Sequence, residues 1–191
     1  MVVDGFRFLG GRLSLNFVAS LTGRYRGGGE EQLARPDDLG RWFRAAGLIV
    51  EAPRVRPAEL MQARELREAV YRLVRPDTRD DPRPPDIETL NLWAGQCGLR
   101  PLLGEDARSV RLVAKHPVQA CLTAVAADAI DIVAGPQLAF VRECVRAECS
   151  VLFFDASRSR QRRWCDMTRC GNRSKAARHR LRNRAVPPPT R

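Results

Sequence analysis

Histidine and lysine are almost absent from this chain. Of 191 residues two are histidine, and only Lys115 and Lys175 stand against 31 arginines. Two histidines leave general acid–base catalysis few players. The sequence also lacks a nucleophile elbow, a phosphate loop and a metal-hydrolase motif, so the expectation is a protein that is not an enzyme. No stretch of 18 consecutive apolar residues occurs, so no membrane span is expected. The start, MVVDGFRFLGG, has no basic segment leading into a long apolar run. No signal peptide is expected, and the cytoplasm is the expected location.

Acid is missing from one end. Residues 156–191 hold twelve basic side chains and a single acid, Asp166, a balance of +11. The first 155 residues hold 21 bases and 21 acids and balance to zero, so the whole formal charge of +11 sits in the last fifth. A neutral body with a basic end reads as a binding appendage for a polyanion. The preference for arginine over lysine can reflect base composition; the placement of the charge is the informative part.

The body reads mainly helical. In GGRLSLNFVASL, Leu13, Phe17 and Leu21 recur every four residues. RPDDLGRWFRAAGL opens on Pro-Asp, carries Leu39, Trp42 and Phe43 on one side and stops near Gly47. RPAELMQARELREAVYRLV is the clearest amphipathic segment. RPDTRDDPRPPD reads as an exposed connector, IETLNLWAGQCG as a short helix, and LRPLLGEDARSVRLVA as a hairpin. PVQACLTAVAADAIDIVAG is an apolar helix between Pro117 and Gly135.

Four of the six cysteines form a pattern: Cys144 and Cys149, then Cys165 and Cys170, written Cys-x4-Cys-x15-Cys-x4-Cys. Two short-spaced pairs across a hairpin-sized interval have the arithmetic of a four-thiolate zinc site. Disulfide or redox pairs and incidental cysteines are the other readings, disulfides being disfavoured in a cytosolic chain. A unit of about 45 residues has a poor core and needs a staple. Structural zinc supplies on the order of 10 kcal/mol to such a unit. Val151–Phe154 and Arg162–Trp164 are expected to be the two strands of a hairpin that brings the pairs together. Cys97 and Cys121 read as small buried hydrophobes.

Asn172 is the expected cap of a basic helix, RSKAARHRLRNR. Its candidate nucleic-acid contacts are Arg173, Lys175, Arg178, Arg180, Arg182 and Arg184, with Arg163 beside it; Ala177 and Leu181 make a thin apolar strip for docking. Arg162, Arg163, Arg169 and Arg173 are also placed to compensate the thiolates. Double-stranded DNA is the favoured partner. RNA is the alternative, with Trp164, Phe153 and Phe154 as the available stacking rings.

The segment LFFDASRSRQRRWCDMTRCGNRSKAARHR resembles the CGNR zinc-finger family. The resemblance rests on Cys170-Gly171-Asn172-Arg173, on the Asp155, Ser157, Arg158 turn, on Arg163-Trp164-Cys165 and on the basic helix. FLGGRLSLNFVASL, RPDDLGRWFRAAGL, ARELREAV and His116-Pro117 resemble the ABATE domain of stress-induced transcription regulators. The family's Leu-Asp-Phe-Val-Asn-Thr is here Leu15-Asn16-Phe17-Val18-Ala19-Ser20. The resemblance implies a mainly α fold with a small β-hairpin: a helical domain over 1–139, a four-cysteine zinc finger (knuckle, hairpin, helix) over 140–185, and a disordered tail over 186–191. It implies a DNA-binding regulator with structural zinc, acting at the nucleoid, whose body senses a small effector or forms a homodimer. Arg12, Asn16, Trp42, Arg64 and His116 are the candidate effector contacts; a small-molecule-binding protein or enzyme with its site in the body is the other alternative.

Overall fold

The computed structural model describes residues 2–25, 29–78, 80–146 and 148–176. The expected mainly helical fold with small antiparallel strand pairs is what it shows. Strands β1 (Val2–Val3) and β2 (Phe6–Arg7) form a short ribbon before helix α1 (Leu13–Val18). Strands β3 (Leu21–Thr22) and β4 (Glu30–Glu31) pair next. Helices α2 (Pro36–Ala45), α3 (Pro57–Val74) and α4 (Pro84–Ala94) follow. The hairpin of β5 (Arg100–Leu103) and β6 (Val110–Val113) leads to α5 (Pro117–Ala134). A 3-10 turn, Pro136–Phe140, then enters β7 (Val141–Glu143), which pairs with β8 (Leu152–Phe154).

Proline sets the helix starts. It occupies the first turn of α2, α3, α4 and α5, where its missing N–H costs nothing and its fixed φ suits the helix. In α2 and α3 an acid three residues into the helix reaches back to the preceding N–H: Asp38 to Arg35 at 2.8 Å, Glu59 to Arg56 at 2.7 Å. Gly47, at φ +73, ends the second helical segment as expected.

The core lies between α1, α3, α4 and α5, with α2 closing one end. Leu15, Phe17, Trp42, Phe43, Leu66, Val70, Leu122, Val125 and Ile132 are fully buried. Trp42 is ringed by Phe8, Phe17 and Phe43, with centroids 5.0–6.0 Å away. Helix α5 has 18 residues at mean hydropathy 1.4, enough by length and composition to cross a membrane. Half of that stretch is buried inside the fold, so its apolar surface is used for packing.

Two expectations are corrected here. Helix α1 stops at Val18, and Leu21, read as its next apolar turn, belongs to β3. Ala19 and Ser20 are buried against the C-terminal unit and an ion-pair network, which breaks the four-residue period. In that network Arg67, 3% exposed, donates to both carboxylate oxygens of Glu31 at 2.7 Å and to Ser20 at 3.1 Å. Cys97 is exposed rather than buried, while Cys121 is buried as expected.

The C-terminal unit is joined to the body along a continuous seam. Phe154 N–H donates to the Gly10 carbonyl at 2.7 Å, Asp155 N–H to the Phe140 carbonyl at 2.9 Å, and Arg24 N–H to Ser150 Oγ at 3.1 Å. Leu152 lies in the body's core. Gly10 is the pinch point. A Cβ there would lie 2.5 Å from the Leu15 backbone carbon, while the Gly10 N–H donates to Asn16 Oδ1 at 2.8 Å.

Gly10→Ala is expected to cost about 2–3 kcal/mol through overpacking against backbone, seen as a fall of about 5–10 °C in melting temperature for a chain of this size. An unchanged melting curve would show that this approach is not required.

Candidate metal centre and basic surface

The first cysteine pair sits in the loop of the β7–β8 hairpin. Cys144 follows β7 directly and donates its N–H to the Val151 carbonyl at 3.0 Å, closing the loop. Ser150, at φ +49, turns the chain into β8. The second pair enters from the other side. Asp166 caps a one-turn π-helix, Met167–Gly171, by accepting from Arg169 N–H at 2.9 Å, and residues 172–176 continue as α-helix. Cys165 lies just before this cap and Cys170 inside the turn.

This geometry revises two expectations. Val151–Phe154 was expected to pair with Arg162–Trp164; it pairs instead with Val141–Glu143, and the knuckle is the hairpin's own turn. The 162–164 segment returns as an irregular strap, held by Val145 N–H to the Arg163 carbonyl at 3.0 Å. Asn172 is not the helix cap. That role belongs to Asp166, six residues earlier, because its carboxylate meets the free N–H of Arg169.

The four sulfurs of Cys144, Cys149, Cys165 and Cys170 all lie within 4.8 Å of one another. Three separations are 3.5 Å (149–165), 3.6 Å (149–170) and 3.8 Å (165–170). Four sulfurs bound to zinc at about 2.3 Å in a tetrahedron sit about 3.8 Å apart, so the donors match the ion. Cys144, Cys165 and Cys170 are buried, while Cys149 is half-buried. Ala19, Val151 and Phe153 make a dry shell around them, with Leu9 and Trp164 against it.

Without a cation the cluster cannot carry four negative charges. Cys144 is pushed strongly towards thiolate by S–H donation from Cys149 and Cys165. Cys149 is pushed up by its hydrogen bond to Cys144, and Cys165 by those to Cys144 and Cys149. Zinc supplies the missing positive charge, so binding must displace thiol protons. The four cysteines form a structural zinc site: every coordination position is taken by sulfur, and none is left for water.

One charged side chain beside the sulfurs was missed in the sequence reading. Arg146 pairs with Glu148 and lines one cavity with Cys149, Cys165 and Cys170. It lies inside the first Cys-x4-Cys loop, and that position was the available signal. The Asp155 carboxylate, read in the sequence as part of a turn, is fully buried. It accepts from Ser157 Oγ at 2.6 Å, Ser157 N–H at 3.0 Å and Arg162 N–H at 2.8 Å, and Arg142 stands 3.5 Å away. Burial raises its pKa, but the Ser157 and Arg162 hydrogen bonds outweigh that and leave it below the ordinary aspartate value.

The arginines divide into two groups. Arg160 stacks on Phe140 at 3.9 Å and donates to the Asp155 carbonyl; Arg162 lies over Phe153 and donates to the Cys165 carbonyl; Arg142 donates to the Arg160 carbonyl. These three serve the fold. Arg158, Arg169, Arg173 and Lys175 have no carboxylate partner among the described residues, and Arg163 only covers the Trp164 ring at 5.4 Å. Arg163, Arg173 and Lys175 are exposed. Arg178, Arg180, Arg182 and Arg184, and the Ala177/Leu181 strip, lie outside the described residues.

The five candidate effector contacts do not converge. Arg12 pairs with Asp128 and Asp131 on α5. Asn16 accepts from Gly10. Trp42 is sealed in the core. Arg64 donates to the carbonyls of Leu33 and Ala34. His116 borders a cavity of about 330 Å³ with Trp93, Gln96 and Gln119. Each of the other four has a structural use that brings it no nearer to this space.

Two family profiles match the chain. The ABATE family, described as "Putative stress-induced transcription regulator", matches residues 11–136. The CGNR zinc finger matches residues 141–183. No curated protein matches it.

Purified protein is expected to contain one zinc per chain by elemental analysis, and Cys144→Ser or Cys170→Ser to lose it together with most of the C-terminal structure. Acidification should also release the metal, because protons compete for the sulfurs. Asp155→Ala should cost about 2–4 kcal/mol at neutral pH by leaving its buried donors unpaired. The sign follows from the lowered pKa: the wild-type advantage is present above the unfolded-state aspartate pKa and vanishes as pH falls through the lower folded value. Denaturant titrations at neutral and acid pH read both effects.

Proposed function

The chain belongs to the ABATE family and ends in a CGNR zinc finger, and from that membership we propose a DNA-binding transcription regulator in which the finger grips the backbone and the helical body responds to an effector. The observation that carries this reading is the division of the arginines. Arg142, Arg160 and Arg162 are used internally, whereas Arg158, Arg163, Arg169, Arg173 and Lys175 meet no acid among the described residues. Like charges left together on one small unit repel each other unless a polyanion supplies the counter-charge. Arg178, Arg180, Arg182 and Arg184 extend the same run in sequence. Such contacts neutralise phosphates and set position on the duplex.

Duplex DNA suits this surface better than single-stranded RNA. Phe153 is fully buried and Phe154 and Trp164 are half-buried, so little ring surface is presented for stacking bases. In this reading the protein works in the cytoplasm at the nucleoid, and zinc has a structural part only.

The body is the responsive half. An apolar cavity of about 350 Å³ lies between α3, α4 and α5, lined by Leu73, Ile87, Leu90, Ile130 and Val133. Its remaining wall includes Leu138, in the 3-10 turn that runs into β7. Two residues on, Phe140 holds Arg160 and accepts the Asp155 N–H. A small apolar molecule seated there would act on the chain segment that carries the finger.

Binding to a duplex should weaken with salt, log K falling against log salt with a slope of about −0.9 per phosphate contacted. Arg173→Ala and Lys175→Ala are each expected to reduce that slope by about one, nearly equally for all sequences. A slope near zero, or tighter binding to single-stranded RNA than to duplex DNA, would overturn the reading.

A further inference from the structure

The β5–β6 hairpin leaves apolar surface uncovered. Leu103 is 66% exposed, Val110 62% and Leu102 44%. A lone two-stranded hairpin is marginal in water; three or more strands with an apolar face are the stable form.

Its two faces differ. Opposite residues share a face, and the register pairs Leu103 with Val110 and Pro101 with Leu112. One face is therefore wholly apolar. The other carries Arg100, Leu102, Arg111 and Val113.

Its two edges differ as well. Gly104 N–H donates to the Ser109 carbonyl at 2.7 Å, which marks a hydrogen-bonded pair next to Leu103–Val110. Alternation along an antiparallel ladder then bonds Leu102 to Arg111 and Arg100 to Val113. The backbone groups of Pro101 and Leu103 point out from β5, and those of Val110 and Leu112 point out from β6. Proline has no N–H to offer, so the β5 edge is blunted. The β6 edge is open: neither Val110 nor Leu112 has a backbone partner on that side among the described residues.

We infer that β6 pairs antiparallel with β6 of a second copy, about a two-fold axis through Leu112, making a four-stranded sheet. The register follows from two constraints. Opposite residues must share a face, so the axis passes through a residue, and the fullest overlap of Val110–Val113 with its copy places it at Arg111 or at Leu112. An axis at Arg111 sets two arginines against each other. An axis at Leu112 lets the two Leu112 residues exchange both of their open backbone bonds, and sets each Arg111 beside Val113 of the other copy. The four apolar side chains of one face then continue into the four of the second copy. This self-complementarity is what selects a second copy over an unrelated strand. The contact is small beside the roughly 1,600 Å² of a standard interface, so association is concentration-dependent. The inference does not rest on DNA binding, and it is tested without nucleic acid.

Sedimentation velocity on the zinc-loaded full chain, from about 1 to 500 µM, a span that brackets micromolar affinity, is expected to show a reversible monomer–dimer equilibrium. Leu112→Pro removes an N–H that faces away from β5, so the hairpin's own ladder stays and the dimer is expected to disappear, with circular dichroism and zinc content unchanged. Val113→Glu sets a carboxylate beside Arg111 of the second copy and should tighten the dimer about two- to tenfold. Monomer throughout the range overturns the inference. So does a Leu112→Pro protein that dimerises like wild type, or a Val113→Glu protein that dimerises less well.

Discussion

Convergence of four sulfurs on one point is the constraint from which the C-terminal unit takes its shape. Its own apolar set is small, and Val151, Phe153 and Trp164 are gathered round the sulfurs themselves. The β7–β8 turn and the Asp166-capped π-turn are separate loops, with β8 and the irregular strap before Cys165 between them. What brings them together is the requirement for four donors at tetrahedral spacing. Zinc binding is therefore coupled to the folding of this unit.

Asp155 and Gly10 carry that order into the rest of the chain. The Asp155 carboxylate ties the strap at Arg162 to the end of β8, and its N–H reaches back to Phe140. The Gly10 carbonyl takes the N–H of Phe154 while its own N–H is held by Asn16 on α1. Two units that the sequence divides by charge are thus joined through backbone hydrogen bonds and the burial of Leu152 in the body's core. The 3-10 turn that borders the body's cavity at Leu138 ends at Phe140, the ring on which the finger's Arg160 stacks.

Charge has two uses on the same small surface. Arg142, Arg160 and Arg162 satisfy carbonyls or lie over rings, and Arg146 sits against the sulfurs. Those arginines have structural partners within the unit. Of the others, Arg158, Arg163, Arg173 and Lys175 are exposed and Arg169 is half-buried. The neutral body behaves differently: Arg67–Glu31, Arg72–Asp86 and Arg12–Asp128 are all satisfied internally.

Several features were legible in the chain alone. Proline at the starts of α2 and α5, Gly47 at a helix end, the β5–β6 hairpin and the Cys-x4-Cys duplication are local signals, set by φ restriction, side-chain period or ligand spacing within a few residues; Pro84–Asp86, read as connector, is instead the first turn of α4. The charge asymmetry and the ligand set needed nothing more. Tertiary structure decided the rest because those choices depend on partners far away in sequence. Strand 152–154 chose 141–143 over 162–164, since closing the hairpin through the knuckle brings the sulfurs together. Asp166 displaced Asn172 as the cap once Cys165 was fixed. Arg12, Asn16 and Arg64 became structural because acids and carbonyls from distant segments packed against them, and Trp42 became core. Composition could say that the finger is basic; only the packed structure separated the arginines that hold it together from those that meet no acid among the described residues.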